Sequence, residues 1–284
     1  MSVSLCTLVR GRRGHLDALL RGVAASTARP REVVIAWVQE AAFDALPDPG
    51  CPVVHVFAPG EPIRLAAARN RATAAARGET LVFLDVDCRP APDLVAGFEA
   101  AVALTDAAVM GAVRYLAEDD PEGDFETAWA AGAIHPARPE PETDAPLAVP
   151  DATLWSLAFA LPARAFALAG GFDERFEGYG GEDTDFSRAL DRAGVGLHAT
   201  RAARAVHQWH PVHKPPLQHF DAIVTNARLF RAKWGAWCME YWLDQFAAAE
   251  LIDWREDADR LVVRRRPSEA EIAASLRPGT VRFS

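Results

Sequence analysis

Apolar residues come in two rhythms along the first hundred positions, and the two alternate. Val3–Val9 and Thr80–Leu84 are runs with hardly a polar break, the pattern of strands covered on both faces of a parallel sheet. Shorter runs at 33–38 and Val53–Phe57 predict two more strands. Between them, 15–25 places Leu16, Leu19, Leu20 and Val23 on one face of a helix, and 66–77 reads as a second helix. Strand and helix in alternation predict an α/β chain with a Rossmann-like, mostly parallel central sheet and helices on both faces. Further on, helical spacing returns from Phe186 and again over 217–233 and 237–251. The stripe Phe220, Ile223, Ala227, Phe230 and Trp234 is expected to pack on the sheet. A second stripe, Trp237, Tyr241, Trp242, Phe246 and Trp254, offers an apolar face to a partner or membrane surface.

Length and composition narrow this picture. With 284 residues, half of them apolar, the chain can bury one substantial core. A net charge of −9 argues against nucleic acid, whose phosphates are bound by clustered cations. Four cysteines without a C-x-x-C pair, and an N-terminus lacking a long apolar stretch, predict a reduced, cytoplasmic protein. No run approaches the ~20 apolar residues of a bilayer span, which leaves only peripheral membrane contact. Residues 118–144 break the pattern. Glu118, Asp119, Asp120, Glu122, Asp124, Glu126, Glu140, Glu142 and Asp144 share this stretch with four prolines and a single basic residue, Arg138, and predict a loop.

Candidate chemistry gathers at three places. The buried run 80–84 ends directly in Asp85-Val86-Asp87, and ligands of open α/β sheets bind beyond the carboxyl ends of strands. Two carboxylates there could hold a hard divalent cation against a diphosphate. The second place is 170–186, dense in glycine, carboxylate and aromatic residues. Glycines 178, 180 and 181 allow sharp turns and close approach to a ligand, and Glu182, Asp183 and Asp185 open a helix whose dipole suits them. Helix capping would account for Asp185 alone, but not for the adjacent Glu182-Asp183 pair behind three glycines and Tyr179. The third place is a histidine cluster, His207, His210, His213 and His219, downstream of the acid pair. Imidazole with carboxylate suits Mn²⁺ better than an all-oxygen set would.

The run Leu81 to Cys88, preceded by Ala67-Ala68-Arg69-Asn70-Arg71-Ala72, resembles the donor half of family 2 glycosyltransferases of the GT-A fold. Leu8 to Leu16 is similar to the nucleotide-binding opening of the β-1,4-galactosyltransferases, and Gly171 through Asp185 to their glycine-rich acceptor and catalytic motif. The resemblance spans roughly residues 3 to 235. It implies a single domain over 1–254, with a donor-binding half at 1–116, an acceptor and catalytic half at 117–254, and a tail at 255–284.

The resemblance further implies a metal-dependent, inverting transfer of a sugar from a nucleotide sugar, UDP-hexose or UDP-N-acetylhexosamine, to a saccharide or other hydroxyl acceptor. Arg10, Arg12 and Arg64 would face the diphosphate. Asp85 would meet the ribose or a metal-bound water, and Asp87 the metal, Mn²⁺ or Mg²⁺. Asn70, and with it Arg69, would support the base or the Asp-Val-Asp turn, a helix-packing role remaining open. Asp183 would be the general base, Glu182 and Gly181 would face the sugars, and Tyr179 would lie against a sugar ring unless it belongs to the core. His207 and His210 stand where the galactosyltransferase pattern has a methionine and a histidine, and are the expected metal ligands. Trp129 and His135 are acceptor-side candidates. A retaining transferase, a sugar-1-phosphate nucleotidyltransferase and a non-catalytic nucleotide-sugar-binding protein remain alternatives.

Overall fold

The computed structural model describes residues 2–121, 123–150 and 153–283; Glu122 of the acidic stretch lies outside them. Strands β1 (Val3–Val9), β2 (Glu32–Trp37), β3 (Val53–Phe57) and β4 (Thr80–Leu84) are linked by helices α1 (Arg13–Ala24) and α2 (Leu65–Ala75). There follow β5 (Cys88–Pro90), α3 (Leu94–Thr105), β6 (Ala108–Tyr115), α4 (Phe125–Ala131), β7 (Ala133–Ile134), β8 (Leu147–Ala148), β9 (Ala158–Pro162) and α5 (Ala163–Ala169). The chain continues through α6 (Glu182–Arg192), β10 (Leu197–His207), α7 (Phe220–Trp234), α8 (Glu240–Ala248), β11 (Ile252–Asp253), β12 (Val262–Val263) and α9 (Glu269–Ser275).

The main sheet has the order β3-β2-β1-β4-β9-β6-β10-β5. Pairing is parallel from β3 through β4 and again between β6 and β10, and antiparallel where β9 enters between β4 and β6. Every residue of β1, β2 and β4 is buried, as strands covered on both faces require. One face packs on α1 and α3 through Leu16, Leu19, Leu20, Leu94 and Phe98. The other packs on α2, α5 and α6 through Ala66, Ala68, Phe166 and Phe186.

Three expectations change. The α7 stripe does not lie on the sheet; Phe220, Ile223, Val224 and Ala227 form a separate core with Leu243, Phe246, Trp254 and Leu261. Spacing shows which residues share a helix face but not which element covers it. The same core absorbs most of the second stripe: Trp237, Phe246 and Trp254 are buried, and Tyr241 alone of the five is exposed. The stretch 118–144 is not wholly loop, since Asp124 accepts a 2.9 Å hydrogen bond from the Thr127 amide and caps α4. Its acids find partners far away in sequence: Glu126 on Arg204, Glu140 on Arg114, Asp144 on Arg201 and Asp120 on Arg282. Trp129, an acceptor-side candidate, is only 9% exposed, with the Arg114 and Arg204 guanidiniums 4.5 and 5.4 Å from its ring centroid.

Residues past 254 fold onto the body. β12 pairs with β11, a Ser268–Glu271 capping box starts α9, and Leu276 bridges to His213. Among the described residues, no helix is long and apolar enough to cross a membrane.

Candidate active site

The sheet order sets β1 beside β4, so Arg10 to Arg12 and Asp85 to Asp87 emerge side by side at the carboxyl ends of neighbouring strands. After Asp87 the chain reverses into β5, which runs antiparallel to β10 with Cys88 opposite His207. The Gln208 amide donates to the Asp87 carbonyl at 2.7 Å. That register is why a residue more than a hundred positions away meets the Asp-Val-Asp turn.

Asp87, His207 and His210 each offer a ligand atom, all within 4.8 Å of one another. Nε2 of His207 is 3.5 Å from Asp87 Oδ1, and Nε2 of His210 is 3.7 Å from Oδ2. Arg12 closes the cluster with an ion pair to Asp87. Burial pushes both imidazoles below the ordinary histidine value, His210 to about 4, so that each keeps a free lone pair at neutral pH. Burial alone would raise the Asp87 carboxyl, but His207 and Arg12 outweigh it and hold that group below the usual range. One anionic oxygen donor and two neutral nitrogen donors fit a divalent transition ion such as Mn²⁺.

The second cluster stands at the start of α6. Gly181 holds φ +89° at the helix N-cap, and Gly180 repeats that φ. A Cβ on Gly178 would come within 2.5 Å of Ala222 Cβ, so only glycine lets α7 approach the turn. From α7, the buried Asn226 amide donates to the carbonyls of Glu177 and Gly180 at 2.9 and 2.8 Å and fixes the loop's path. Glu182 and Asp183 therefore sit side by side in the first turn. Burial and then the Glu182 charge raise Asp183 to about 7, while the Thr184 amide, 2.7 Å from its Oδ1, holds the carboxylate in place. Burial likewise raises Asp85 to about 6, with Arg69 opposing and Asp87 reinforcing the shift.

Asp185 belongs to another environment. It is 1% exposed, and accepts from Lys233 Nζ at 2.9 Å and Trp234 Nε1 at 2.7 Å. This carboxylate locks α6 to the end of α7, and capping is not its job.

The other expected residues divide. Arg10 pairs with Glu61, and Arg64 lies 3.5 Å from Glu177; both side chains are about half exposed, at 46% and 48%. Neither touches the Asp87 cluster in this arrangement. Both Asn70 amide atoms clasp the Phe172 backbone at 2.9 Å, beneath the turn that leads into the glycine motif. Tyr179 stacks on His219 at 4.4 Å and tilts against Trp242 at 5.6 Å. His213 is held by Ser275 Oγ at 2.8 Å, a link to the tail. His135 leans on Trp155 and Tyr115, and Tyr115 in turn packs on His207. Ser156 is a buried participant that the sequence does not announce: a serine on an irregular segment has no periodicity to mark it, and only its 2.7 Å bond from Arg69 brings it out. Beside this region a cavity of about 660 Å³ opens between Arg10, Ile63, Gly178, His219, Phe220 and Arg266.

The mostly parallel sheet, whose strand direction switches at β9, carries one acidic turn after β4 and another at the start of α6. The model of glycosyltransferase-like family 2 matches residues 55–201, more than half of the chain, and the chain belongs to that family. No curated protein matches the sequence. Solved structures share the fold at low identity. GalNAc-T7 crystallised with UDP, GalNAc and Mn²⁺ is 17% identical with a TM-score of 0.55, over 74% of this chain and 44% of that one. TarS 1-349 of S. aureus is 13% identical with a TM-score of 0.52, over 81% of this chain and 66% of that one. The mannosyltransferase PcManGT of Pyrobaculum calidifontis, in complex with GDP-Man and Mn²⁺, is 19% identical with a TM-score of 0.51, over 72% and 56%. The chain thus spans less than two thirds of each of these proteins.

Proposed function

We propose that the protein transfers a sugar from a nucleotide sugar to an acceptor hydroxyl with inversion at the anomeric carbon. The donor is a UDP-hexose or UDP-N-acetylhexosamine. The observation that carries the reading is a nitrogen and oxygen donor set, Asp87 with His207 and His210, together with a carboxylate raised to about 7, Asp183, on two turns that Arg69 joins through Asp85 and Glu182. Mn²⁺ alongside UDP in one structural neighbour and GDP-Man in another supports a nucleotide-bound cation. The likeness of the opening segment to the galactosyltransferases supports uridine over the other bases.

In this reading Arg12 and Arg10 face the diphosphate, where guanidinium forks suit phosphate oxygens. A divalent cation held by Asp87, His207 and His210 would neutralise charge that develops on the leaving diphosphate. Asp183 accepts the proton of the acceptor hydroxyl as that oxygen bonds to the anomeric carbon and the bond to the diphosphate breaks. A base near 7 is ionised often enough to act and still basic enough to take the proton. Glu182 holds sugar hydroxyls, and Tyr179 offers a ring face to the sugar. The domain is a single unit over 1–254, with the tail at 255–284 fastened to it.

Incubation with UDP-, GDP- and dTDP-sugars, with and without Mn²⁺, tests the proposal. UDP release from a UDP-sugar that needs Mn²⁺ and gives product of inverted anomeric configuration is the expected result. Retention, or release indifferent to metal, would remove the mechanism.

A further inference from the structure

Arg69 is a charged residue on an otherwise alanine-rich helix, and it is 3% exposed. A buried guanidinium stays charged, so its desolvation must be matched by partners. Its partners come from three separate segments. Nη1 donates to Glu182 Oε1 at 3.1 Å. Nη2 donates to Ser156 Oγ at 2.7 Å and lies 3.4 Å from Asp85 Oδ1. The Phe172 ring lies under the guanidinium, 5.2 Å from its carbon. One cation therefore links the turn that carries Asp85 and Asp87 to the helix start that carries Glu182 and Asp183.

We propose that Arg69 is a positioning residue that couples the donor-side turn to the catalytic base, holding Glu182 in place and setting the proton affinity of Asp183. The inference rests on the assignment of Asp183 as base. The geometry explains why arginine serves here: a fork reaches two carboxylates and a hydroxyl at once, and the face of its plane covers an aromatic ring, whereas a lysine ammonium would satisfy one of these directions at a time. The charge balance follows. Asp183 is faced by Glu182 on its own helix, by Asp85 from the strand end, and by Arg69 from α2, with the Thr184 amide bonded to it. Its charge also acts on Arg138, Tyr179 and Cys238. One near cation among three carboxylates leaves the carboxyl poised; without the cation it would hold its proton further into the alkaline range.

The test follows the Asp183 carboxyl by ¹³C NMR in the metal-free protein, its signal assigned by loss in Asp183→Asn, together with hydrolysis of UDP-GlcNAc in the presence of Mn²⁺. In Arg69→Met the Asp183 midpoint is expected to rise by up to ~1 pH unit, the low end of what an adjacent opposite charge contributes. The acid limb of the hydrolysis profile should move with it, and kcat should fall more than KM rises. Arg69→Lys keeps the charge and loses the fork, so its midpoint should return toward wild type while kcat stays low. An unmoved midpoint in Arg69→Met, or wild-type kcat in Arg69→Lys, overturns the proposal; the second outcome decides the matter even where the methionine variant does not fold. Wild-type hydrolysis by Asp183→Asn would instead remove the base assignment while the NMR midpoints still report on Arg69.

Discussion

Asp87 and Asp183 are aspartates on the two turns that Arg69 links, and the molecule drives their proton affinities in opposite directions. Asp87 stands among Arg12, His207 and His210 and is held ionised below the usual range. Asp183 stands beside Glu182 in the first turn of α6 and is raised to about 7. Burial works on both in the same sense, so the neighbours decide the difference. A carboxylate that is permanently ionised suits a cation; one that titrates near neutrality suits a proton in transit. Roles can thus be read from surroundings that a residue's type does not reveal.

The sharpest way to break this division is Asp183→Asn. The amide keeps the size of the side chain and can still accept from the Thr184 amide, so the turn and nucleotide binding should survive. Sugar transfer should fall by at least the ~10²-fold that general-base catalysis contributes. In the wild type, kcat/KM should rise with pH through about 7, since the base acts ionised. A near wild-type rate in the variant would move the base to Glu182 or beyond the glycine motif.

The opposite side of the comparison is probed by Asp87→Ala and His207→Ala. Outer partners of metal ligands alone are worth ~10-fold or more in metal affinity, and loss of a ligand should cost at least as much. Calorimetry of UDP binding with and without Mn²⁺ should show the metal-dependent increment collapse, with metal-free affinity little changed. Undiminished metal dependence in both variants would dissolve the cluster as a metal site.

A third aspartate sharpens the contrast. Asp185 looks like a member of the catalytic motif by position, yet it is taken up by Lys233 and Trp234. Lys233→Met leaves a buried carboxylate with one donor fewer and should cost ~1–3 kcal/mol in denaturant unfolding. The pH at which transfer becomes half-maximal should stay where it is. A shift there would make Lys233 part of the electrostatics of the base.

These three aspartates also mark how far the sequence could be read. The alternation of buried runs and amphipathic helices gives β1 through β4 with α1 and α2 nearly to the residue, because each of those segments is decided by local periodicity. The glycine-carboxylate run and the Asp-Val-Asp segment stand out for the same reason: their composition is local. What depends on distant pairing was hidden. No local signal says that β9 enters antiparallel between β4 and β6, or that α7 and α8 make their own core away from the sheet. Nor does spacing tell Asp183 from Asp185, two residues apart on one helix turn, since only α7 decides which of them is consumed. The buried link from Arg69 to Ser156 joins residues 87 positions apart. An arginine at a buried position of an alanine-rich helix that also carries the exposed Arg71 was its one trace in the sequence.

A further expected effect concerns stability, and it follows from the raised proton affinity of Asp183. An unfolded aspartate titrates near ~3.9, the native one about 7. Between those values the native protein holds a proton that the unfolded chain has lost, so wild-type stability falls as pH rises through that window and levels above it. The amide of the Asp183→Asn variant titrates in neither state. In metal-free protein, that variant should therefore gain stability relative to wild type as pH rises from ~4 to ~7, with no further gain above. Denaturant melts of the two proteins across that range provide the check. A flat difference would mean that Asp183 has an ordinary affinity in the free protein. The pairing with Glu182 would then not poise it, and the contrast with Asp87 would rest on the histidines and Arg12 alone.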